Sequence, residues 1–326
     1  MANVLRWGLI STANINDKVI QAMPGSKRHQ LAAVASRNLD KAKAYAQKNK
    51  IERAYGSYEE MLADPEIDVV YNPLPNHLHA EWTIKACQAG KHVLCEKPFV
   101  LSMDEMDAVE AAARQNGVVV QEAFMYRHHP QTLKVKEMLD QGAIGKIGII
   151  RGVFTFLLED PENVRLVPEW GGGSLWDVGV YPVSYIRTMM GVEPEEVLCW
   201  QILGSRGVDM AFGGELRFPG GALGQFQSGF NTTHYTSMEI LGDKGSLQIP
   251  QPFSPGKKSA FSHFIDRKPQ KVEVDGMELY LGELENMADC IQKGGKPRIT
   301  LEDSRRNTKL ILAGFESART GKAVRV

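Results

Sequence analysis

Two short stretches carry residues suited to holding the phosphates of a dinucleotide. The apolar run ending Trp7-Gly-Leu-Ile10 passes through Ser11-Thr12-Ala13-Asn14-Ile15-Asn16 into a helix-like segment, where a dinucleotide fingerprint belongs. Such a turn needs small residues, because backbone amides must approach a pyrophosphate at a helix N-terminus, where the dipole favours negative charge. The three glycine positions read Ser11, Ala13 and Asn16, and taken alone the segment reads better as an ordinary strand-to-helix turn. About 20 residues further on, where a ribose-binding carboxylate is expected, stands Ser36-Arg37-Asn38. A hydroxyl and a guanidinium without a carboxylate suit a 2′-phosphate through charge-assisted hydrogen bonds, which favours NADP over NAD. The competing reading of Arg37 is a solvated side chain ahead of a helix cap.

These residues need a scaffold, and the chain predicts one. Up to about Glu122, short apolar runs at Leu5–Ile10, Leu31–Ala35, Val69–Asn72, Val93–Cys95 and Val118–Gln121 alternate with amphipathic stretches. That rhythm predicts a parallel sheet covered by helices, a doubly wound α/β fold of Rossmann type. One helix begins after Asn38, and Ser57-Tyr-Glu-Glu60 and Ser102-Met-Asp-Glu105 match the Ser-x-x-Glu capping box. Beyond Glu122 the pattern changes to a helix near Gln131–Gln141, a long β-like run Ile147–Leu158 and a hairpin of Ala211–Phe218 and Ala222–Phe230 around Pro219-Gly-Gly221. Ser237–Leu241, Ser246–Ile249 and Lys271–Val274 add strands, and Gly282–Lys293 and Asp303–Thr320 add helices. The expectation is a dinucleotide-binding domain over 1–124 and an α+β domain over 125–326 with an open, mostly antiparallel sheet.

Composition narrows the partners. Of 326 residues, 38 are Lys or Arg and 39 Asp or Glu, a net charge of −1, which leaves no basic excess for a nucleic-acid backbone or an anionic membrane. No apolar run approaches membrane-spanning length. Cys87, Cys95, Cys199 and Cys290 lack the spacing of a zinc site or a disulfide framework, and Met1–Arg6 lacks the basic and apolar regions of an export signal. A reducing cytoplasm fits both observations.

Further along stand Pro73-Leu-Pro-Asn-His77, then Glu96-Lys97-Pro98, then Trp170-Gly-Gly-Gly-Ser-Leu-Trp-Asp177-Val-Gly-Val-Tyr181-Pro182, and Gly242-Asp-Lys-Gly-Ser246. As a set these resemble the glucose-fructose oxidoreductase and inositol dehydrogenase family, written Gfo/Idh/MocA. Within it they look most like the branch of dimeric dihydrodiol dehydrogenases and NADP-dependent D-xylose 1-dehydrogenases. The resemblance covers nearly the whole chain and departs from the pattern at the glycine positions Ser11, Ala13 and Asn16. It implies hydride exchange between NAD(P) and a sugar, polyol or related alcohol, a catalytic Lys97, a cis Lys97–Pro98 bond, and a homo-oligomer, dimer or tetramer, joined through the open sheet.

Oxidising an alcohol requires a group that takes the hydroxyl proton as hydride departs. Lys97 and Tyr181 are the candidates, and with ordinary pKa values of about 10.4 and about 10 each needs a neighbouring cation or desolvation to work near neutrality. Tyr181 is assigned the proton and Lys97 the substrate oxygen, with the roles open to exchange. Asp177, one helical turn before Tyr181, would orient substrate or base, or else cap a helix. Glu96, beside Lys97, reads as structural or as an orienter of it rather than as a second base. Pro73, Leu74, Asn76 and His77 follow a strand and would line the nicotinamide end of the cofactor. Trp170 would stack on the cofactor or cover the substrate, and Arg165 would reach a phosphate or a substrate oxygen. His128 and His129 are adjacent and lack a third ligand at metal spacing, so no metal is expected. Phe154, Phe156 and Leu157 read as core. Asn231, Thr232, His234 and Tyr235 are candidates for substrate choice. Two other readings stay open: a redox-neutral enzyme that keeps its cofactor tightly bound, and a non-catalytic NADP(H) sensor.

Overall fold

The structure is a computed structural model that describes residues 4–326; Met1–Asn3, on which the expectation about the chain start partly rests, lie outside the described residues. It divides into two compact units, each built from two segments. The first contains the chain up to Met125 and Tyr280–Arg305, and the second Tyr126–Leu279 and Arg306–Val326.

In the first unit, β1 (Leu5–Ile10), β2 (His29–Ala35), β3 (Arg53–Tyr55), β4 (Val69–Asn72), β5 (His92–Glu96) and β6 (Val120–Ala123) form one sheet. It is all parallel, in the order β3-β2-β1-β4-β5-β6. Helices α1 (Asn16–Ala22), α2 (Leu39–Asn49), α3 (Tyr58–Leu62), α4 (His79–Gln88) and α5 (Met103–Asn116) connect the strands. β1 and β4 are buried along almost their whole length, as strands covered on both faces must be. Both capping boxes form: Ser57 Oγ accepts the Glu60 amide and Ser102 Oγ the Glu105 amide, each at 3.1 Å. In return Glu60 and Glu105 accept the amides of Gly56 and Leu101.

α8 (Leu281–Lys293) joins this unit through a chain of polar contacts. Trp7 Nε1 donates to His29 Nδ1 at 3.2 Å, which leaves the proton on Nε2 to bond Glu285 at 2.9 Å. Arg28 pairs with Glu285 and Asp289, both at 2.8 Å. An amphipathic helix is legible from its own residues, but Arg28 and His29 lie more than 250 positions away, so its partner is not.

The second unit is a nine-stranded sheet ordered β14-β13-β12-β11-β7-β10-β9-β8-β15. Its strands are β7 (Ile147–Leu157), β8 (Glu196–Leu203), β9 (Asp209–Arg217), β10 (Leu223–Gly229), β11 (Asn231–Gly242), β12 (Ser246–Ile249), β13 (Lys258–Ile265), β14 (Lys268–Asp275) and β15 (Val324–Arg325). Only β7 and β10 pair in parallel; the hairpin β9–β10 aligns Arg217 with Leu223. α6 (Pro130–Asp140) and α7 (Val180–Met190) belong to this unit, and α9 (Leu301–Thr320) begins in the first and continues in the second from Arg306. Among the described residues no helix is long and apolar enough to cross a membrane.

Candidate active site

The strand order of the first unit reverses between β1 and β4, and in such sheets ligands bind beyond the carboxyl ends of the strands at that point. Ser11, at the first glycine position, holds a left-handed backbone (φ 83°), the conformation for which glycine is the usual choice. Its amide bonds Ala35 O, and its carbonyl accepts from Asn16 Nδ2 at 2.9 Å, so the asparagine closes the turn. Ser11 Oγ and Asn16 Oδ1 are buried with no hydrogen-bond partner, and no side chain caps α1 at Ile15. The unpaired Ser11 hydroxyl and the uncapped amides of the helix start are donors that fit a bound phosphate, so Ser11, Thr12, Ala13, Asn14 and Ile15 suit the pyrophosphate of a dinucleotide.

At the end of β2, Ser36 is buried and its Oγ accepts the Asn38 amide at 3.3 Å, while Arg37 is exposed. The Arg37 guanidinium lies near enough to Tyr58 to oppose the upward push that burial gives that phenol. Ser36-Arg37-Asn38 carries no carboxylate, which fits a phosphorylated ribose.

Beyond β4 and β5 the backbone is tied down from several sides. Asn72 Nδ2 donates to His79 O at 3.1 Å and Thr83 Oγ1 at 3.2 Å. His79, fully buried, reaches Leu74 O with Nε2 at 2.6 Å and Pro98 O with Nδ1 at 2.7 Å. It therefore bridges the Pro73–His77 loop and the segment just after Lys97. Burial pushes its pKa down to about 4, so the ring is neutral at pH 7 and only one of its nitrogens donates. The Lys97–Pro98 peptide is cis. On one side of Lys97, Tyr71 Oη donates to Glu96 Oε1 at 2.5 Å; on the other, the Phe99 amide donates to Glu122 Oε1 at 3.1 Å, and Ser304 Oγ to Glu122 Oε2 at 2.7 Å. Glu96 is held by Tyr71, and the half-buried Lys97 follows it at a pinned strand end.

Sequence reasoning missed His79, Glu122 and Glu283. Glu283, on α8, is fully buried with both carboxylate oxygens unpartnered, and burial together with the Glu96 charge holds it well above the usual carboxylate range. The buried Tyr280 phenol is pushed up by its burial and by Glu96 and Glu283. A buried acidic cluster of Glu96, Glu283, Tyr71 and Tyr280 therefore adjoins Lys97.

In the second unit, Asp177 lies in a π-helical turn, Leu175–Gly179, which runs directly into α7 and Tyr181. Single π-turns are rare and concentrate at functional sites. The preceding loop is closed by its own backbone: Gly172 donates to Val167 O and Gly173 to Arg165 O. This sets Arg165 beside the turn, where its Nε bonds Asp177 Oδ2 at 2.6 Å and its guanidinium stands 5.9 Å over the Phe156 ring. Trp170 is 39 % exposed at the tip of the same loop. Tyr181 is 7 % exposed; its ring packs among Tyr126, Phe154 and Phe253 at 5.4–5.8 Å, and Tyr126 Oη donates to its carbonyl. Phe154 stacks on Phe253 and Phe156 packs on Phe230, whereas Leu157 is 55 % exposed and not core, because it ends β7 beyond the packed part of the sheet. Asn231, Thr232, His234 and Tyr235 are exposed on β11. His129 Nδ1 accepts the Gln131 amide as the N-cap of α6, and no group of three metal-ligating side chains occurs among the described residues.

The profile described as "Oxidoreductase family, NAD-binding Rossmann fold" matches residues 5–124, and the GFO/IDH/MocA C-terminal domain matches residues 132–248. The chain is 35% identical over 323 residues to the D-xylose 1-dehydrogenase (NADP(+)) 2 of Haloferax volcanii, covering 98% of this chain and 99% of that one. It is 32% identical over 329 residues to the trans-1,2-dihydrobenzene-1,2-diol dehydrogenase of Mus musculus, covering 97% and 96%. Among solved structures it resembles an aldose-aldose oxidoreductase from Caulobacter crescentus complexed with glycerol (TM-score 0.93, 25% identity, 99% of this chain and 100% of that one). It also resembles a 3-ketoreductase from Actinomadura kijaniata in complex with NADP and TDP-benzene (TM-score 0.91, 30% identity, 97% and 98%). That reductase has also been solved with a tyrosine changed to phenylalanine and with a lysine changed to alanine or glutamate.

Proposed function

The chain belongs to the GFO/IDH/MocA oxidoreductase family, and from that premise we propose that it is an NADP-dependent dehydrogenase or reductase of a sugar, polyol or related diol. Enzymes of this class are NAD(P)-dependent and act on CH–OH groups, and the bound nicotinamide supplies the hydride acceptor or donor. The observation that carries the reading is the setting of Lys97. Its neighbours in the chain are held by Tyr71 through Glu96, by His79 through Pro98 and by Glu122 through Phe99, at the strand end where this fold binds ligands.

Lys97 binds the substrate oxygen and Tyr181 exchanges the hydroxyl proton, with Asp177, paired to Arg165, orienting the substrate. Ser11–Ile15 hold the pyrophosphate, and Ser36 and Arg37 the 2′-phosphate, which is the basis for NADP. The loop Pro73, Leu74, Asn76 and His77 borders the nicotinamide, and Trp170 covers the site. The dihydrodiol and xylose dehydrogenases among the relatives, and the NADP-bound 3-ketoreductase, support this class of substrate and cofactor.

Absorbance at 340 nm with NADP+ or NAD+ across aldoses, inositols and dihydrodiols tests the proposal. Turnover with NADP+ is expected, and silence with both cofactors across the panel overturns it. The likeness to an aldose-aldose oxidoreductase favours a second reading, a redox-neutral exchange on retained cofactor, for which cofactor would survive gel filtration. Trp200, Ile202 and Tyr235, each more than half exposed on the nine-stranded sheet, are the basis for a homo-oligomer, and light scattering showing a monomer at all concentrations removes that part. Four buried thiols with no disulfide suit the cytoplasm.

A further inference from the structure

The π-helical turn that presents Asp177 and leads into Tyr181 begins at Leu175, and its first amides have no partner within the helix. Ser174, the residue ahead of it, holds helical backbone angles and does not cap the turn with its own side chain. The cap comes from Asp209, 34 positions on, at the start of β9. Its Oδ2 accepts the Leu175 amide at 2.8 Å and the Ser174 hydroxyl at 2.7 Å, and Ser174 Oγ lies 3.0 Å from Ser228 Oγ on β10. All three side chains are at most 3 % exposed. Pairing with β8 and β10 fixes where β9 and β10 carry Asp209 and Ser228, so the cap is mounted on the sheet.

The glycines around the turn record how closely this mount approaches. A Cβ on Gly173, whose φ is +113°, would stand 2.1 Å from Asp209 Oδ1. One on Gly179 would stand 2.9 Å from Ser228 Oγ, and one on Gly172 would stand 2.7 Å from the Arg165 and Val167 carbonyls. Three glycines of the Gly-Gly-Gly-Ser-Leu-Trp-Asp-Val-Gly run are thus explained by the close packing of the turn, two of them against the Asp209–Ser228 mount.

We propose that Asp209 is a positioning residue for Asp177 and Tyr181: by holding the Leu175 amide and the Ser174 hydroxyl, it sets the rotation of the π-turn that carries Asp177 and runs into the first turn of α7, where Tyr181 stands. The inference rests on the reading that these two residues serve the substrate. Asp209 lies in a strand far along the chain from the motif it holds.

The test uses Asp209→Ala, Asp209→Asn and Ser174→Ala in the full chain. Loss of the cap in Asp209→Ala tilts the turn, and a displacement of about 1 Å costs on the order of 100-fold in rate. The expected result is therefore a kcat lowered by about 30- to 100-fold, with NADPH affinity measured by fluorescence unchanged within about twofold. Asp209→Asn keeps an acceptor oxygen and recovers kcat to within about fivefold of the parent, and Ser174→Ala, which keeps the Leu175 bond, loses about three- to tenfold. Amide hydrogen exchange provides a readout independent of turnover. In Asp209→Ala, the amides of Leu175–Tyr181 exchange at least about tenfold faster, while those of β9 and β10 keep their protection.

Unchanged kcat and unchanged exchange in Asp209→Ala overturn the proposal. So does protection lost throughout the second unit, which would make the residue merely structural. If Asp209→Ala does not fold, Asp209→Asn and Ser174→Ala decide: full activity in Ser174→Ala, or no activity in a folded Asp209→Asn, overturns it. If the parent chain turns over no sugar, polyol or diol, the proposed function fails while the exchange arm still decides what Asp209 holds.

Discussion

The corner that carries Lys97 in the first unit and the turn that carries Asp177 and leads to Tyr181 in the second meet the same requirement with opposite chemistry. In the first, a neutral imidazole, His79, stands between two backbone carbonyls and joins two loops. In the second, a buried carboxylate, Asp209, gathers a hydroxyl and an amide at the start of a helix. Carbonyl acceptors call for an N–H donor, whereas a helix N-terminus calls for an acceptor with negative charge. The backbone groups left over by each local geometry thus decided which side chain could secure it.

The two devices respond to pH in opposite senses. His79 titrates at about 4 in the folded chain, below its ordinary 6.5, so the unfolded chain takes up its proton first. The stability it contributes is complete above about 6.5 and is lost as pH falls toward 4. Asp209 is pushed up to about 6 from its ordinary 3.8, so the folded chain takes up the proton first. Its ionisation costs nothing below about 3.8 and its full amount above about 6, so this contribution falls as pH rises.

The largest expected effect separates the catalytic roles. Lys97→Met lowers kcat/KM by about 1000-fold and Tyr181→Phe by about 100-fold or more, with NADPH affinity retained in Tyr181→Phe. Steady-state kinetics check this, and a fully active Lys97→Met would remove the first unit's half of the comparison.

Next comes the pin itself. His79→Ala removes the ring packed between the Leu74 and Pro98 carbonyls, together with the one N–H it donates, and is expected to cost roughly 3 kcal/mol at pH 7 by urea denaturation. The parent chain's loss of roughly 3 kcal/mol from this residue between pH 6.5 and pH 4 should vanish in the variant, while Asp209→Asn should steepen rather than abolish the acid-side decline of stability. Identical pH slopes in all three chains would show that the devices do not differ in the way described.

A smaller change is expected at the cofactor end. Arg37→Ala raises KM for NADP+ by about 10- to 100-fold and leaves KM for NAD+ nearly unchanged, as loss of a charge-assisted bond to a phosphate should. Equal effects on both cofactors would make Arg37 a solvated residue beside Tyr58.

The smallest effect concerns Glu283. Burial and the Glu96 charge hold Glu283 well above the usual carboxylate range, so the nearly isosteric Glu283→Gln is expected to shift stability at pH 7 by less than about 1 kcal/mol. A large shift would mean that the carboxylate is ionised.

Much of this scaffold was legible from the residues. β1, β4 and β12 run as the apolar patterns place them, and α3 and α5 begin at the two capping serines. These signals are local: an apolar period or a side chain bonding an amide three residues on. β3, β8 and β13 were not foreseen, because Arg53–Tyr55 is only three residues long, and the other two are half-exposed strands whose polar positions blur the alternation. Lys97, Asp177 and Tyr181 were visible because they stand inside motifs. Their supports were not: Glu122 finds Phe99 and Ser304, and Asp209 finds Ser174 and Leu175, only across long stretches of chain.

The amino-acid order alone indicated β1, β4 and β12, the starts of α3 and α5 at their capping serines, and a parallel sheet ahead of a mostly antiparallel one, because apolar period and capping depend on neighbours a few residues apart. Only the tertiary structure decided that Tyr280–Arg305 returns to the first unit, that Asp177 sits in a π-turn, and that His79 lies between the Leu74 and Pro98 carbonyls while Asp209 holds the start of that turn. The bonds that decide these outcomes, His79 to Pro98, Asp209 to Leu175 and Glu285 to His29, join residues 19, 34 and 256 positions apart, beyond the reach of a local pattern.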